Sequence, residues 1–207
     1  MSAIAPPPVG AEPLGLTTSR SDNAVALTAL ASRHDRSATG DRARASRTAW
    51  LGSLVGLVAF GAVSAAAALA GAAVTTKKRN MLWYRALAKP SFTPPDRVFG
   101  IVWPVLYSLG ALSAWRVAKT PPSSERTLAL SLWGVQLAFN AAWTPAFFGA
   151  RRPSLAMATL AGNQTSLGAY ALAAGKVDKT AAWMIAPYLG WVTFAGVLNA
   201  GIVAKNR

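Results

Sequence analysis

The chain has 207 residues, of which 53% are apolar and only 14% charged, too few charges to clothe a soluble surface of this size. Its formal charge of +14 does not mark a nucleic-acid binder, because the Lys and Arg residues cluster between apolar stretches, where cations meet lipid phosphates at helix ends. With no cysteine in the sequence, disulfides and thiolate metal sites are excluded; the single histidine, His34, lies outside every apolar stretch, so no haem iron is held by His or Cys within a membrane, which leaves at most a tyrosine ligand or no axial ligand.

Residues 1–48 form a separate region rich in Ser, Thr, Ala and Pro, opening on Pro6-Pro7-Pro8 and carrying Arg33, Arg36, Arg42, Arg44 and Arg47 towards its end. Such a composition predicts little stable structure. Two readings are open. The Arg and Ser content resembles an organelle transit segment, against which Glu12, Asp22, Asp35 and Asp41 count; the other reading is a plain cytosolic tail. The membrane concerned is an organelle membrane in the first case and the plasma or another intracellular membrane in the second.

Residues 49–207 read as an all-α, multi-pass integral membrane bundle of five transmembrane helices, at 49–74, 98–115, 127–150, 153–175 and 180–204. Each stretch is long enough to cross a hydrocarbon core about 30 Å thick, and none contains Asp, Glu, Lys, Arg or His. Counted from residue 33, Lys and Arg divide equally between the two sides, so charge does not orient the bundle.

The first stretch is built from small residues, with Gly52, Gly56, Gly61, Ser64, Ala68 and Gly71 spaced for close helix approach. Its packing partner is either a helix of the same chain or a second copy in a homodimer. In the connector that follows, Asn80 is expected to cap a short helix over 81–88, which Pro90 ends. Thr93 is expected to cap the second span, with Pro94 at its first position and Asp96 over the free amides. A connector with its own helix and prolines has the makings of a lid.

Eight tryptophans are more than an aromatic belt at the membrane surface requires. Trp50 and Trp183 fit a belt; for the rest, helical faces matter. Phe99, Trp103, Tyr107, Gly110 and Ala114 share one stripe of the second span, and Gln136, Asn140, Trp143 and Phe147 share one of the third. The fourth adds Asn163, Ser166 and Tyr170, and the fifth Tyr188, Trp191, Ala195 and Asn199. Polar side chains in lipid need partners within the bundle, so these faces are expected to converge. Singly, the amides are interhelical glue. Together with Trp103, Tyr107, Trp143 and Trp191 they describe an aromatic-walled cavity with a few hydrogen-bonding groups, suited to a planar apolar ligand.

The run Trp83-Tyr84, Leu87, Lys89-Pro90, Pro94-Pro95, Phe99, Trp103 and Leu106-Tyr107 resembles the first-loop and second-helix signature of the TspO/MBR family. Gln136-Leu137, Asn140, Trp143 and Phe147-Phe148 resemble its third-helix motif, and Pro187-Tyr188, Trp191, Phe194-Ala195 and Leu198-Asn199 its fifth. The resemblance implies a five-helix bundle, often dimeric, whose pocket beneath the first loop binds porphyrins and isoquinoline- or benzodiazepine-type ligands. By position, Trp83, Trp103, Tyr107, Asn140, Trp143, Trp191, Ala195 and Asn199 would line it. One departure concerns sterols. Animal members carry a Tyr directly after the Leu-Asn pair, in a proposed cholesterol motif, where this chain has Ala200.

The expected function is therefore binding of tetrapyrroles such as protoporphyrin IX or haem, or of sterols and other lipids, by a sensor, scavenger or carrier. The alternatives are passive transport and light-driven porphyrin breakdown. No carboxylate, His, Cys or Lys stands in the expected pocket, so neither acid–base catalysis nor a metal site is expected there, and no cofactor is obligatory. Ion-coupled transport would also want an ionisable group within the spans. Membrane lipids and the small-molecule ligand are the expected partners.

Overall fold

A computed structural model of the chain describes Val25, Thr28 and residues 51–207. The chain divides into two units, Met1–Trp50 and Leu51–Arg207. In the first, Val25 and Thr28 are helical; the readings of the N-terminal tail otherwise lie outside the described residues.

The regular elements described in the second unit are all helical. Its elements are α1 (Leu51–Thr75), then α2 (Lys78–Ala86), α3 (Asp96–Ala118), α4 (Ser124–Thr144), a π-helical turn (Pro145–Gly149), α5 (Pro153–Gly175), α6 (Lys179–Trp183) and α7 (Ala186–Lys205). α1, α3 and the combined α6–α7 segment, Lys179–Lys205, are each long and apolar enough to cross a membrane. α4 and α5, with 21 and 23 residues, have the length, but Gln136 and Asn140 in one and Asn163 and Gln164 in the other dilute their apolar character. Gln136, Asn140 and Asn163 are buried against neighbouring helices, so their polarity is spent inside the bundle. The outer surface instead exposes Leu54, Val58, Leu69, Ile101, Val105, Leu128, Leu155 and Leu172, an apolar mantle that water would not tolerate and lipid would. The protein is integral to a membrane.

α4 and α5 pack most extensively, α5 also lies against α6 and α7, and α3 touches α4, α6 and α7. Gly162 sets the α4–α5 approach, because a Cβ there would fall 2.6 Å from the Phe139 ring. α1 meets the rest along one edge: the Trp115 indole donates to Ser53 O at 2.7 Å, Phe60 stands edge-on to Trp133 at 5.0 Å, and Gly71 lies under Thr144. Of the small residues expected to let α1 approach a partner, Gly56 and Gly71 face helices of the same chain, while Gly52 and Gly61 have open space around them.

Two expected spans are interrupted, both by proline. Pro145 has no N–H to continue the α-helical ladder, and the backbone passes into the π turn at that residue. Pro187, near the start of α7, forces the break at Met184–Ile185 between α6 and α7.

Two expected caps are corrected. α2 begins at Lys78, three residues earlier than expected, with Asn80 buried inside it. The Asn80 amide donates to Val74 O at 2.8 Å, satisfying an orphan carbonyl at the end of α1 rather than an amide of α2. Thr93 likewise does not cap α3: its hydroxyl donates to Pro90 O at 2.7 Å, and α3 starts two residues after Pro94, at Asp96, behind Pro95. In both cases the side chain closes the chain segment before it, where a free carbonyl was nearer than a free amide.

Candidate functional site

The predicted faces converge on Asn140. Its side-chain nitrogen donates to the hydroxyls of Tyr107 at 2.8 Å and Tyr188 at 2.7 Å, while its oxygen accepts from Asn163 at 3.3 Å. One amide thus ties α3, α4, α5 and α7 together in the apolar centre, where each unmade hydrogen bond is expensive. Trp103 lies against both tyrosines, 5.9 Å from the Tyr107 ring and edge-on to Tyr188 at 6.2 Å. Gln136 Oε1 and Asn163 Oδ1 are buried without a hydrogen-bond partner among the described residues.

Two further ring groups flank this hub. Trp143 is stacked on Phe147 at 5.0 Å with an interplanar angle of 19°, and Trp83 of α2 meets Phe147 edge-on at 5.5 Å. Phe147 and Phe148, adjacent residues of the π turn, both lie against α2, where they meet Trp83 and Tyr84. On the other side Trp191 stands 5.6 Å from Phe99 and 5.4 Å from Phe194. The indole nitrogens of Trp143 and Trp191 are both buried with no hydrogen-bond partner among the described residues.

Of the eight predicted lining residues, Trp103, Tyr107 and Asn140 are thus brought together directly or through Tyr188, Trp83 joins Trp143 through Phe147, and Trp191 stands with Phe99. Ala195 is half-buried and packed against the main core. Asn199 is placed apart: its amide donates to Pro153 O at 2.9 Å, at the start of α5. The rings fall into three contacting groups, Trp103 with Tyr107 and Tyr188, Trp83 and Trp143 with Phe147, and Trp191 with Phe99 and Phe194. An open groove of about 440 Å³ between α4 and α5, lined by Leu132, Phe139, Ala161, Gly162, Thr165, Ser166 and Ala169, includes none of the eight.

The connector over the site is pinned by its own aromatic residues. Tyr84 packs on Phe147 and Phe148, and burial, helped by the negative charge of Asp96, raises its phenol above the usual range. It therefore stays neutral, with the Lys89 ammonium 4.4 Å above its ring. Phe92 meets Phe194 at 6.4 Å.

Several contacts escape sequence reasoning. Ser113 donates to Ala181 O at 2.8 Å and lies 2.6 Å from the Tyr170 hydroxyl, locking α3, α5 and α6 in a fully buried set. Arg116 pairs with Asp178 at 2.9 Å, and Asp178 also accepts from Ala181 N at 2.9 Å as the cap of α6. An Asp before a helical run signals the cap; its pairing with Arg116 carries no local signal.

Residues 57–204 match the TspO/MBR family. Protein CrtK of Rhodobacter capsulatus is 39% identical over 125 residues, covering 60% of this chain and 78% of that protein. The translocator protein of Bos taurus is 34% identical over 134 residues, covering 64% and 79%. The tryptophan-rich sensory protein of Cereibacter sphaeroides is 39% identical over 124 residues, covering 60% and 77%.

Proposed function

Since the chain belongs to the TspO/MBR family, we propose that it binds a flat tetrapyrrole such as protoporphyrin IX among the aromatic rings around Asn140, acting as a sensor, scavenger or carrier and not as an enzyme. The observation that carries this reading is the pair of buried, unpartnered indole N–H groups of Trp143 and Trp191, set among rings on three helices and the α2 connector. A planar ligand offers ring faces to stack on and peripheral carboxylates or carbonyls to accept those two donors. The apolar body suits lipids as well; the indole donors favour a ligand with acceptor groups at its edge.

The hydroxyls of Tyr107 and Tyr188 already accept from Asn140. Recognition on this reading rests on stacking and on the indole N–H donors of Trp143 and Trp191, with no axial ligation of iron. The names of the relatives, translocator and sensory protein, suit a protein that holds a ligand without converting it.

Titration of the purified protein in detergent with protoporphyrin IX, in darkness and in light, tests the proposal. Saturable tryptophan quenching in darkness, weakened in Trp143→Phe and Trp191→Phe, is the expected result. Quenching that never saturates would refute it. Absorbance loss only under illumination would mark breakdown of the bound porphyrin, and flux into liposomes would separate a carrier from a sensor.

A further inference from the structure

We propose that Asn206 is a positioning residue that latches the connector between α1 and α3 over the site and so sets how fast ligand enters and leaves; this rests on the binding reading above. Within each group of rings at the site the side chains are in contact, so a flat ligand stacks among them only when rings part. Those on α2 and the following loop, Trp83, Tyr84 and Phe92, belong to the one wall that is not a membrane-spanning helix. What holds that wall therefore governs access.

Asn206 stands just past α7 and is exposed. Its side-chain amide pairs with both backbone polar groups of one connector residue, as a residue of a neighbouring strand would: Oδ1 accepts from Ala88 N at 3.0 Å, and Nδ2 donates to Ala88 O at 2.8 Å. The second hydrogen of Nδ2 serves Ile202 O at 2.8 Å, so the amide is aimed by the helix that carries it. Ala88 lies beyond the end of α2 at Ala86, where its N–H and C=O have no helical partner. Close by, Pro90 is buried over Gly201, where a Cβ would fall 2.5 Å from Pro90 Cγ. Two independent features of the α7 C-terminus, the amide pair and the glycine seat, thus fix the same stretch of connector. Because Asn206 and Ala88 are exposed, water can replace both hydrogen bonds when they break, which makes the contact reversible at small cost.

The test uses the full chain in detergent or nanodiscs. Stopped-flow quenching by protoporphyrin IX gives both rate constants for wild type, Asn206→Ala and Gly201→Ala, and amide exchange followed by mass spectrometry reports connector opening without any ligand. Losing the two bonds should raise the association and dissociation rates together, by about 3- to 30-fold, with the equilibrium constant within about threefold, and should speed exchange over 87–93 but not in α4 or α5. Gly201→Ala, which leaves the Asn206 amide in place, should do the same by unseating Pro90. A residue that merely caps α7 would move neither the rates nor connector exchange. Unchanged exchange over 87–93 in Asn206→Ala overturns the latch, as do faster exchange with unchanged ligand rates and a change in affinity carried by dissociation alone. If wild type fails to bind protoporphyrin IX, the binding reading falls, and with it the role in ligand entry; connector exchange then decides separately whether Asn206 holds the connector.

Discussion

The Asn140 amide nitrogen donates to the Tyr188 hydroxyl across 2.7 Å, joining α4 to α7 in a region that water does not reach. Its second hydrogen serves Tyr107 at 2.8 Å, so the two tyrosines share one donor group without competing for a hydrogen. Asn140→Leu leaves both hydroxyls and the Asn163 amide without their partner, and should lower stability by about 1–3 kcal/mol. Tyr188→Phe removes one acceptor only, at about 0.5–1.5 kcal/mol. Unfolding in mixed micelles, run as a double-mutant cycle, should give a coupling of at least about 0.5 kcal/mol. Strict additivity would show that the contact has no energetic content.

At the opposite end of the bundle from α2, Asp178 has two separable roles. It caps α6 through Ala181 N at 2.9 Å and pairs with Arg116, whose side chain is 38% exposed. Solvent screening keeps the ion pair weak, about 0.2–1 kcal/mol, whereas losing a cap costs about 0.5–2 kcal/mol. Asp178→Asn retains an oxygen for the cap and should cost less than Asp178→Ala, measured by thermal unfolding. Equal losses would assign the whole effect to the ion pair.

The five-helix crossing predicts that reporter fusions after Lys78, Lys119, Arg152, Lys179 and Arg207 alternate in location. α4 and α5 are the discriminating cases, since their buried amides lower their hydropathy. Two neighbouring fusions on one side would remove a span.

The spans and the inward faces were legible because both depend on a local rule. Length and the absence of charge mark a crossing, and a 3.6-residue period places Trp103 with Tyr107 and Gln136 with Asn140. The ends of elements were less legible, because a polar side chain there chooses between the segment before it and the one after. Asn80 and Thr93 both chose the earlier. The breaks at Pro145 and Pro187 follow from proline chemistry that the apolar runs around them masked. Asn206 with Ala88, Arg116 with Asp178 and Ser53 with Trp115 are separated by 118, 62 and 62 residues, and no periodicity within either partner's own segment points to them.

Ala195 and Asn199 lie one turn apart on α7, and the structure gives them different surroundings, which allows ligand fit to be separated from helix packing. Ala195, like Trp103, Tyr107, Trp143 and Trp191, is partly buried and packed against the main core, and its methyl group is the smallest side chain among them. Ala195→Leu puts an isobutyl group into that space and should weaken protoporphyrin IX binding by about 1–3 kcal/mol, the usual cost of overpacking a fitted site. Helix formation should survive, since Leu is nearly as good a helix former as Ala. Asn199 instead donates to Pro153 O, with its own oxygen buried and without a partner among the described residues. Asn199→Leu removes that tie to the start of α5 and should lower thermal stability, by about 0.6–2 kcal/mol for an interhelical bond in lipid, with a smaller effect on affinity. Tryptophan quenching and thermal unfolding, measured on both variants in the same detergent, give a two-by-two comparison. The expected result is loss of affinity in a stable Ala195→Leu and loss of stability in an Asn199→Leu that still binds. If folded Ala195→Leu binds as wild type does, this face of α7 packs only against protein, and Ala195 leaves the proposed site.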